Sequence, residues 1–279
     1  TPEDDIDFEA IWTTRNTSDN VWDGSIDTEW EGNGTYDSPY LISSAEELAG
    51  LASLANEWKV NRYTYFRQTV DIILNDNGEE FCDNVAGKNE WTPIGNNNYY
   101  FSGYYDGDGH TISGLYIRDN LHNAALFGSV YYGGVSNLGI EESYIYNNGS
   151  NTAGVVGYIN NYSYITNCYN NGTVVGNGNS TGGVVGYFTG SVFCDCYNTG
   201  KVTGNAEYIG GIVGRGYSSI TNCYNTGTVT GSDGYIIGGI VGYADGNDTV
   251  NNCYNTGSVT GNGITGGIVG SVGDKTIVT

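Results

Sequence analysis

The chain lacks methionine altogether and is poor in basic residues, with nine lysines and arginines among 279 residues. The absence of methionine predicts that the natural start precedes Thr1, so we expect a processed or trimmed product. With 31 acidic residues the formal net charge is −22, and a surface this negative repels phosphate backbones and anionic lipid heads. Nucleic acid is therefore not an expected partner.

Histidines and long apolar runs are also scarce. No stretch has the roughly 20 apolar residues of a membrane span, so we expect no membrane insertion of this segment. His110 and His122 lie far in sequence from the repeated cysteines and show no His-Glu-x-x-His spacing, which argues against zinc. From Ala153 to Thr279 there are six acids, three bases and no histidine. Because these acids do not converge by register, we expect no catalytic residues and no cofactor.

Glycine is abundant, and many of the 45 glycines recur with a fixed period. The second glycine of each Gly-Gly-aliphatic-Val-Gly block (Ala-Gly in the first) recurs after 29, 28, 28 and 28 residues, at Gly154, Gly183, Gly211, Gly239 and Gly267. A Cys-Tyr-Asn triplet follows each of the first four blocks, beginning at Cys168, Cys196, Cys223 and Cys253. This pattern is typical of a solenoid, whose units gain a core only by stacking on one another.

The composition of the repeat predicts β-structure. Gly, Asn, Thr, Val, Ile and Tyr dominate, and no run of Ala, Leu, Glu or Lys is long enough for a helix. Three short apolar pieces in each unit are separated by Gly or Asn-Thr-Gly turns, so we expect three strands and three turns per coil. The predicted fold class is all-β, a single-stranded parallel β-helix with about 28 residues per coil.

The cysteines are interpreted as a buried column. Leu138 stands one period before Cys168, and the slot three residues earlier is apolar in every copy, which indicates that both slots face the core. Stacked side chains keep their Cβ atoms about 4.8 Å apart, wider than the roughly 3.8 Å of a disulfide, so free thiols are favoured over bridges. Residues between the two slots are expected to bend the strand and bond along the stack: Asn137, Asn167, Asp195, Asn222 and Asn252.

The region before the repeats predicts a cap. Residues 1–20 are a polar tether, residues 21–64 form an N-terminal cap with a helix near 43–56, and residues 65–279 form the β-helix, with repeats from about 124. Ser44 and Glu47 make a capping box, and Leu48 and Leu51 belong to an apolar stripe. We expect this helix to lie across the first coil, which would otherwise expose its core and its strand edges.

One acidic turn and one row of tyrosines are candidate sites. Asp106 and Asp108, close to His110, form a calcium or acid–base candidate, although a structural Asp-Gly turn is the favoured interpretation. The chain has 25 tyrosines, and the four that follow the repeated cysteines should point outward one coil apart. These are the candidate ligand-binding residues Tyr169, Tyr197, Tyr224 and Tyr254. An ordinary aromatic ladder is the alternative interpretation of this row.

With its Gly-Gly-aliphatic-aliphatic-Gly block followed by Asn-Cys-Tyr-Asn-Thr-Gly, the repeat resembles the GLUG motif. The likeness extends over residues 101–279, and the lead-in segments Trp22-Asp-Gly and Asp37-Ser-Pro-Tyr-Leu-Ile are similar to those of such proteins. The resemblance implies a right-handed β-helix and a surface or secreted bacterial protein. Proteins of this kind include adhesin-like chains, Bacteroidetes lipoproteins and the non-catalytic part of immunoglobulin A proteases. The resemblance implies no activity.

Three functions follow as hypotheses. The first is a non-catalytic extracellular module for adhesion, interaction or display, located outside the cell or on a bacterial surface, with attachment by a lipid at an N-terminus preceding Thr1 as an open alternative. The second is a carbohydrate-binding or carbohydrate-active β-helix, suggested by the tyrosines and an acidic insertion around Asp76, Glu79 and Glu80. The third is the non-catalytic region of an immunoglobulin A protease-like peptidase. The expected partner is an extracellular protein or glycan, and the chain is expected to be monomeric.

Overall fold

The computed structural model describes residues 21–76, 87–232, 235–246 and 249–279. The predicted tether, most of the acidic insertion and Cys82 lie outside these ranges.

Five parallel sheets form the solenoid in the described residues and enclose a main and a smaller apolar cluster. The nine-stranded sheet contains, in spatial order, β1 (Tyr40–Ile42), β2 (Tyr65–Gln68), β4 (Tyr104–Asp106), β9 (Gly134–Ser136), β14 (Tyr164–Thr166), β19 (Val192–Cys194), β24 (Ile220–Thr221), β29 (Thr249–Asn251) and β34 (Ile277–Val278). The seven-stranded sheet contains β3 (Ile72–Ile73), β5 (Thr111–Ser113), β10 (Gly139–Glu141), β15 (Tyr169–Asn170), β20 (Tyr197–Asn198), β25 (Tyr224–Asn225) and β30 (Tyr254–Asn255).

The other three sheets have six strands each. One contains β6 (Tyr116–Asp119), β11 (Tyr144–Asn147), β16 (Thr173–Gly176), β21 (Lys201–Gly204), β26 (Val229–Gly231) and β31 (Val259–Thr260). The next contains β7 (Asn123–Ala124), β12 (Asn151–Thr152), β17 (Ser180–Gly182), β22 (Tyr208–Gly210), β27 (Ile236–Gly238) and β32 (Ile264–Gly266). The last contains β8 (Phe127–Tyr131), β13 (Val156–Asn160), β18 (Val185–Thr189), β23 (Val213–Tyr217), β28 (Val241–Ala244) and β33 (Val269–Val272).

This arrangement confirms the predicted parallel β-solenoid but corrects the number of strands in each coil. Each repeat places one strand in each of the five sheets, as β22 to β26 do, so the expectation of three strands per coil was wrong. The predicted apolar pieces are divided further because a glycine or a left-handed Asn bends the chain inside them. Equivalent residues stack in register, for example Phe193 between Ile165 and Ile220.

The predicted cap helix is α1 (Ala45–Ala55), which joins β1 to β2 at the N-terminal edge of the nine-stranded sheet. Leu48 and Leu51 are fully buried in the main core cluster, as predicted. The Ser44 hydroxyl accepts a hydrogen bond from Glu47 N. The Glu47 carboxylate accepts from the Ser43 backbone and hydroxyl rather than from Ser44 N, so the capping box is shifted by one residue. The sheet begins at β1, inside the segment expected to be cap alone.

Replacing Ser44 by alanine tests this cap. The change removes the acceptor of the Glu47 N–H group while leaving the Glu47–Ser43 contacts in place, and we expect the free energy of unfolding to fall by about 1 kcal/mol. Urea denaturation followed by circular dichroism measures it. A loss below about 0.3 kcal/mol would mean that the helix depends on its buried leucines alone and not on its cap.

The Asn and Asp residues expected to bend the strand have positive φ angles, from 51° to 57°. Their side chains bond along the stack: Asn167 Nδ2 donates to Asn137 Oδ1 at 2.8 Å, and Asn252 Nδ2 donates to Asn222 Oδ1 at 2.7 Å. Asp106 accepts from Asn137 at 2.8 Å, and Asp195 accepts from Asn222 at 2.9 Å. Because a carboxylate has no proton to donate, each acid ends one run of this outer ladder.

A second asparagine ladder, which the sequence reasoning missed, lies inside the core. It consists of the asparagines of the Cys-Tyr-Asn triplets: Asn170, Asn198, Asn225 and Asn255. The Nδ2 group of each of the first three donates to the Oδ1 atom of the next at 2.8 Å, and every Nδ2 also donates to the carbonyl of the glycine two residues on. The first three of these asparagines are fully buried. Their amide groups are therefore satisfied by one another and by the turn.

Candidate interaction surfaces

The candidate tyrosines form a continuous stack on the outside of the seven-stranded sheet. The ring centroids of Tyr169 and Tyr197 are 4.6 Å apart, those of Tyr197 and Tyr224 are 4.8 Å apart, and those of Tyr224 and Tyr254 are 5.2 Å apart. The rings are nearly parallel, with interplanar angles of 3° to 7°. Since each ring covers its neighbour, a partner would meet the ring edges and the row of hydroxyl groups rather than the ring faces.

One hydroxyl of this stack is engaged by the protein itself. Tyr169 Oη donates a 2.6 Å hydrogen bond to Glu141 Oε1. Burial, followed by this carboxylate, raises the pKa of Tyr169 well above its usual range. The ring lies over Gly139, where any side chain would collide with it. Tyr169 is thus fixed as the N-terminal end of the stack, while Tyr254, at the other end, is 52% exposed.

The Asp106–Asp108 turn has the contacts of a structural turn. Asp106 Oδ1 accepts from Asp108 N at 3.0 Å and also from Asn137 of the outer ladder. Asp108 has φ 50°, and His110 Nδ1 lies 3.3 Å from Asp71 Oδ1. Among the residues that the structure describes, no group of three or more His, Cys, Asp or Glu side chains is arranged to hold a metal ion. Asp106 accepts the last hydrogen bond of the outer ladder, so this turn has a structural role.

The repeated cysteines lie on the inner side of the nine- and seven-stranded sheets. Cys168, Cys196 and Cys223 are buried, Cys253 is partly buried in the last coil, and all four are free thiols. Burial raises the pKa of Cys168 to about 12. Cys194, which is partly exposed, is also free, and burial followed by Asp195 raises its pKa to about 11. Thiols with such pKa values are protonated at neutral pH and are poor nucleophiles.

A larger aromatic surface, which the sequence reasoning missed, lies on the N-terminal coils. We call it the aromatic belt, and it consists of Trp58, Tyr63, Tyr99, Tyr100, Tyr131, Tyr132 and Tyr162. The ring centroids of Trp58 and Tyr100 are 4.8 Å apart, and those of Tyr100 and Tyr131 are 4.5 Å apart. The Arg62 guanidinium carbon lies 4.1 Å from the Tyr132 ring centroid and 5.5 Å from that of Tyr63. These residues lie in loops and strand ends of different coils, so no periodic signal reveals them.

Arg215 is the centre of another cluster on the C-terminal half. Its guanidinium carbon lies between 4.9 and 5.8 Å from four tyrosine ring centroids, those of Tyr187, Tyr208, Tyr217 and Tyr243. Its Nη2 group donates to Tyr217 Oη. Arg215 stacks in register between Tyr187 and Tyr243, two residues after the valine of its glycine block. The repeat spacing could therefore have revealed this outward column, which begins at Ser129 and Tyr158.

The fold and these surfaces define a class of protein: a repeat-built β-solenoid that exposes ordered aromatic side chains. The family model for the GLUG motif matches residues 205–230 and 233–260. The chain thus contains GLUG repeats, which confirms the resemblance seen in the sequence. Within the described residues no helix has the length and hydropathy needed to cross a membrane.

Two relatives by sequence each match about half of this chain. Halomucin from Haloquadratum walsbyi is 34% identical over 152 residues, which are 53% of this chain and 2% of halomucin. A protein from Evansella cellulosilytica, provisionally named a Gly-rich membrane protein, is 33% identical over 140 residues, which are 49% of this chain and 15% of that protein. The chain thus matches only a small part of each relative.

A solved structure shares the fold over nearly its full length. It is that of a protein from Bacteroides ovatus provisionally named an immunoglobulin A1 protease, with a TM-score of 0.63 and 21% identity over 88% of this chain and 86% of that chain. At this identity the likeness establishes the fold alone.

Proposed function

We propose that the chain is a non-catalytic extracellular module for interaction or display, held at a bacterial cell surface. The observation that carries the proposal is the outward stack of Tyr169, Tyr197, Tyr224 and Tyr254 on a backbone fixed by two asparagine ladders. Four phenol groups are held one coil apart, so a partner can contact them without ordering them first. The proposed partner is an extracellular protein or glycan, bound by a monomer.

The relatives halomucin and the Gly-rich membrane protein support the proposed location, and attachment by a lipid is part of the proposal. A second candidate function is the non-catalytic region of a secreted peptidase. The observation that favours it is the likeness of the whole fold to the Bacteroides ovatus structure. Both functions require that the chain bind without turnover, and they differ in whether the partner is an immunoglobulin.

The double variant Tyr197→Ala/Tyr224→Ala tests the proposed surface. It removes the two central rings of the stack, and we expect at least a tenfold loss of affinity for whichever partner a host glycan and protein array identifies. Thr226→Ala, an exposed change beside the stack, should leave binding unchanged. In parallel, the chain is incubated with immunoglobulin A1 and with pectins, and both are expected to remain intact. Release of new reducing ends or peptide fragments would refute the non-catalytic proposal.

A further inference from the structure

The aromatic belt is held in unfavourable backbone conformations. Trp58, Tyr63, Tyr132 and Tyr162 have φ angles between 56° and 65°. In the described part of the chain these four are all of the aromatic residues with positive φ, and every one of them belongs to the belt. Bulky residues seldom adopt this conformation because Cβ crowds the backbone, and strained residues of this kind cluster at active sites and ligand clamps.

Trp58 shows how the local fold produces this conformation. After α1, Lys59 N donates to Leu54 O at 2.9 Å and Trp58 N donates to Ala55 O at 3.2 Å. This is the hydrogen-bond pattern of a helix end whose left-handed position is usually a glycine. Here that position carries a tryptophan that is 54% exposed. Tyr162 is 87% exposed and Tyr63 is 63% exposed, so burial of these rings does not compensate for the strain.

A groove of about 520 Å³ adjoins the belt at Tyr99, which lines the groove and contacts Trp58. Asparagines provide most of its polar lining and hold one another in place. Asn96 Nδ2 donates to Asn56 Oδ1 at 2.9 Å, and Asn123 Nδ2 donates to Asn97 Oδ1. Asn97 and Asn98 are exposed. Amide groups offer both donors and acceptors, as hydroxyl-rich ligands require.

The charge of this surface is unusual for the molecule. The protein as a whole carries 31 acidic residues, but among the described residues that form the belt and line the groove none is acidic. The exposed carboxylate next to the belt in sequence is that of Glu57, which is paired with Lys59. Planar rings beside neutral amides fit the apolar C–H faces and the hydroxyl groups of sugar rings.

We infer that the aromatic belt and the adjoining asparagine groove form a binding site for a neutral glycan chain. This inference rests on the proposed function as an interaction module and assigns it a ligand class and a second surface. The rings held at positive φ are preorganised, so binding does not have to fix their backbone. The groove holds a sugar unit through amide hydrogen bonds while the belt extends the contact along the chain.

The test is native affinity electrophoresis of the full chain in gels containing xyloglucan, glucomannan, mixed-linkage β-glucan or α-mannan, with polygalacturonate and hyaluronate as acidic probes. We expect retardation by at least one neutral polymer. The double variant Trp58→Gly/Tyr162→Asn removes two exposed rings and inserts residues that favour positive φ. It should weaken binding to that polymer at least tenfold while its melting temperature does not fall, since the lost ring contacts are offset by the released strain.

Tyr36→Ala, which removes a tyrosine that is 75% exposed and belongs to neither surface, is the matched control and should bind like the wild type. Tyr254→Ala tests the tyrosine stack in the same gels. Retardation by no neutral polymer, or only by acidic ones, would overturn the inference. So would unchanged binding by the Trp58/Tyr162 variant. Loss of binding in Tyr254→Ala alone would place the site on the tyrosine stack, which supports the proposed function and refutes this inference. Polysaccharide cleavage by the wild type would instead refute the non-catalytic proposal. Binding by the variants would still show which of the two surfaces holds the polymer.

Discussion

Replacing Asn198 by alanine should lower the free energy of unfolding by about 3–5 kcal/mol. Asn198 Nδ2 donates to Gly200 O and to Asn225 Oδ1, and Asn198 Oδ1 accepts from Asn170 Nδ2. Alanine leaves all three partners without this bond in a core closed to water. Each stranded group costs roughly 1–3 kcal/mol, and the lost volume adds a cavity. Urea denaturation followed by circular dichroism provides the measurement.

Two control variants separate the possible causes of this loss. Asn198→Ile restores volume, and isoleucine occupies the same slot in earlier coils as Ile112 and Ile140. Because the polar partners remain stranded, we expect the isoleucine variant to recover less than half of the loss. Asn222→Gly breaks two equally short bonds of the exposed outer ladder while glycine tolerates its positive φ, so it should cost no more than about 1 kcal/mol. Equal losses at Asn198 and Asn222 would contradict the role of burial.

The sequence predicted those features of the solenoid that depend on its period. The 28-residue spacing, the buried cysteine column and the cap helix each repeat or follow a local capping pattern, and such patterns are readable without tertiary information. The bend at Asn167 and its equivalents was predictable for the same reason, since asparagine tolerates the left-handed conformation. The asparagine after each tyrosine was missed because a buried amide looks like a turn residue until its partner in the next coil is known.

Among the candidate surfaces, too, those built from repeated positions could be predicted and the one built from unrelated positions could not. The stack beginning at Tyr169 was predicted because its members occupy one slot of the repeat. The Arg215 column also occupies one slot of the repeat and could have been predicted in the same way. The aromatic belt was not predicted, because Trp58, Tyr99 and Tyr162 belong to different elements that only the winding of the chain brings together. Neighbouring coils thus provide a surface that a search within single repeats cannot find.

The buried asparagine ladder also explains the glycine of the motif. A Cβ atom on Gly183, Gly211 or Gly239 would lie 2.6 Å from the Cγ atom of the inner-ladder asparagine of the same repeat and 2.1–2.2 Å from a backbone carbonyl oxygen of the next coil. In the coil before the first Cys-Tyr-Asn triplet, isoleucine at position 140 replaces the asparagine, and the glycine position is occupied by the buried Ala125. Within one chain, therefore, glycine accompanies asparagine and alanine accompanies isoleucine.

Gly211→Ala should accordingly destabilise the protein by about 3 kcal/mol or more, because its methyl group meets the Gly239 carbonyl oxygen at 2.2 Å and neither coil can move without breaking its ladder. Gly267 is the matched control, since it occupies the same position of the last block but a Cβ there meets nothing within 4 Å. Gly267→Ala should change the free energy of unfolding by less than about 0.5 kcal/mol. Urea denaturation of both variants makes the comparison. If the two changes cost the same, the close approach of the next coil and of Asn225 would not explain the glycine, and the coupling between the two halves of the motif would be wrong.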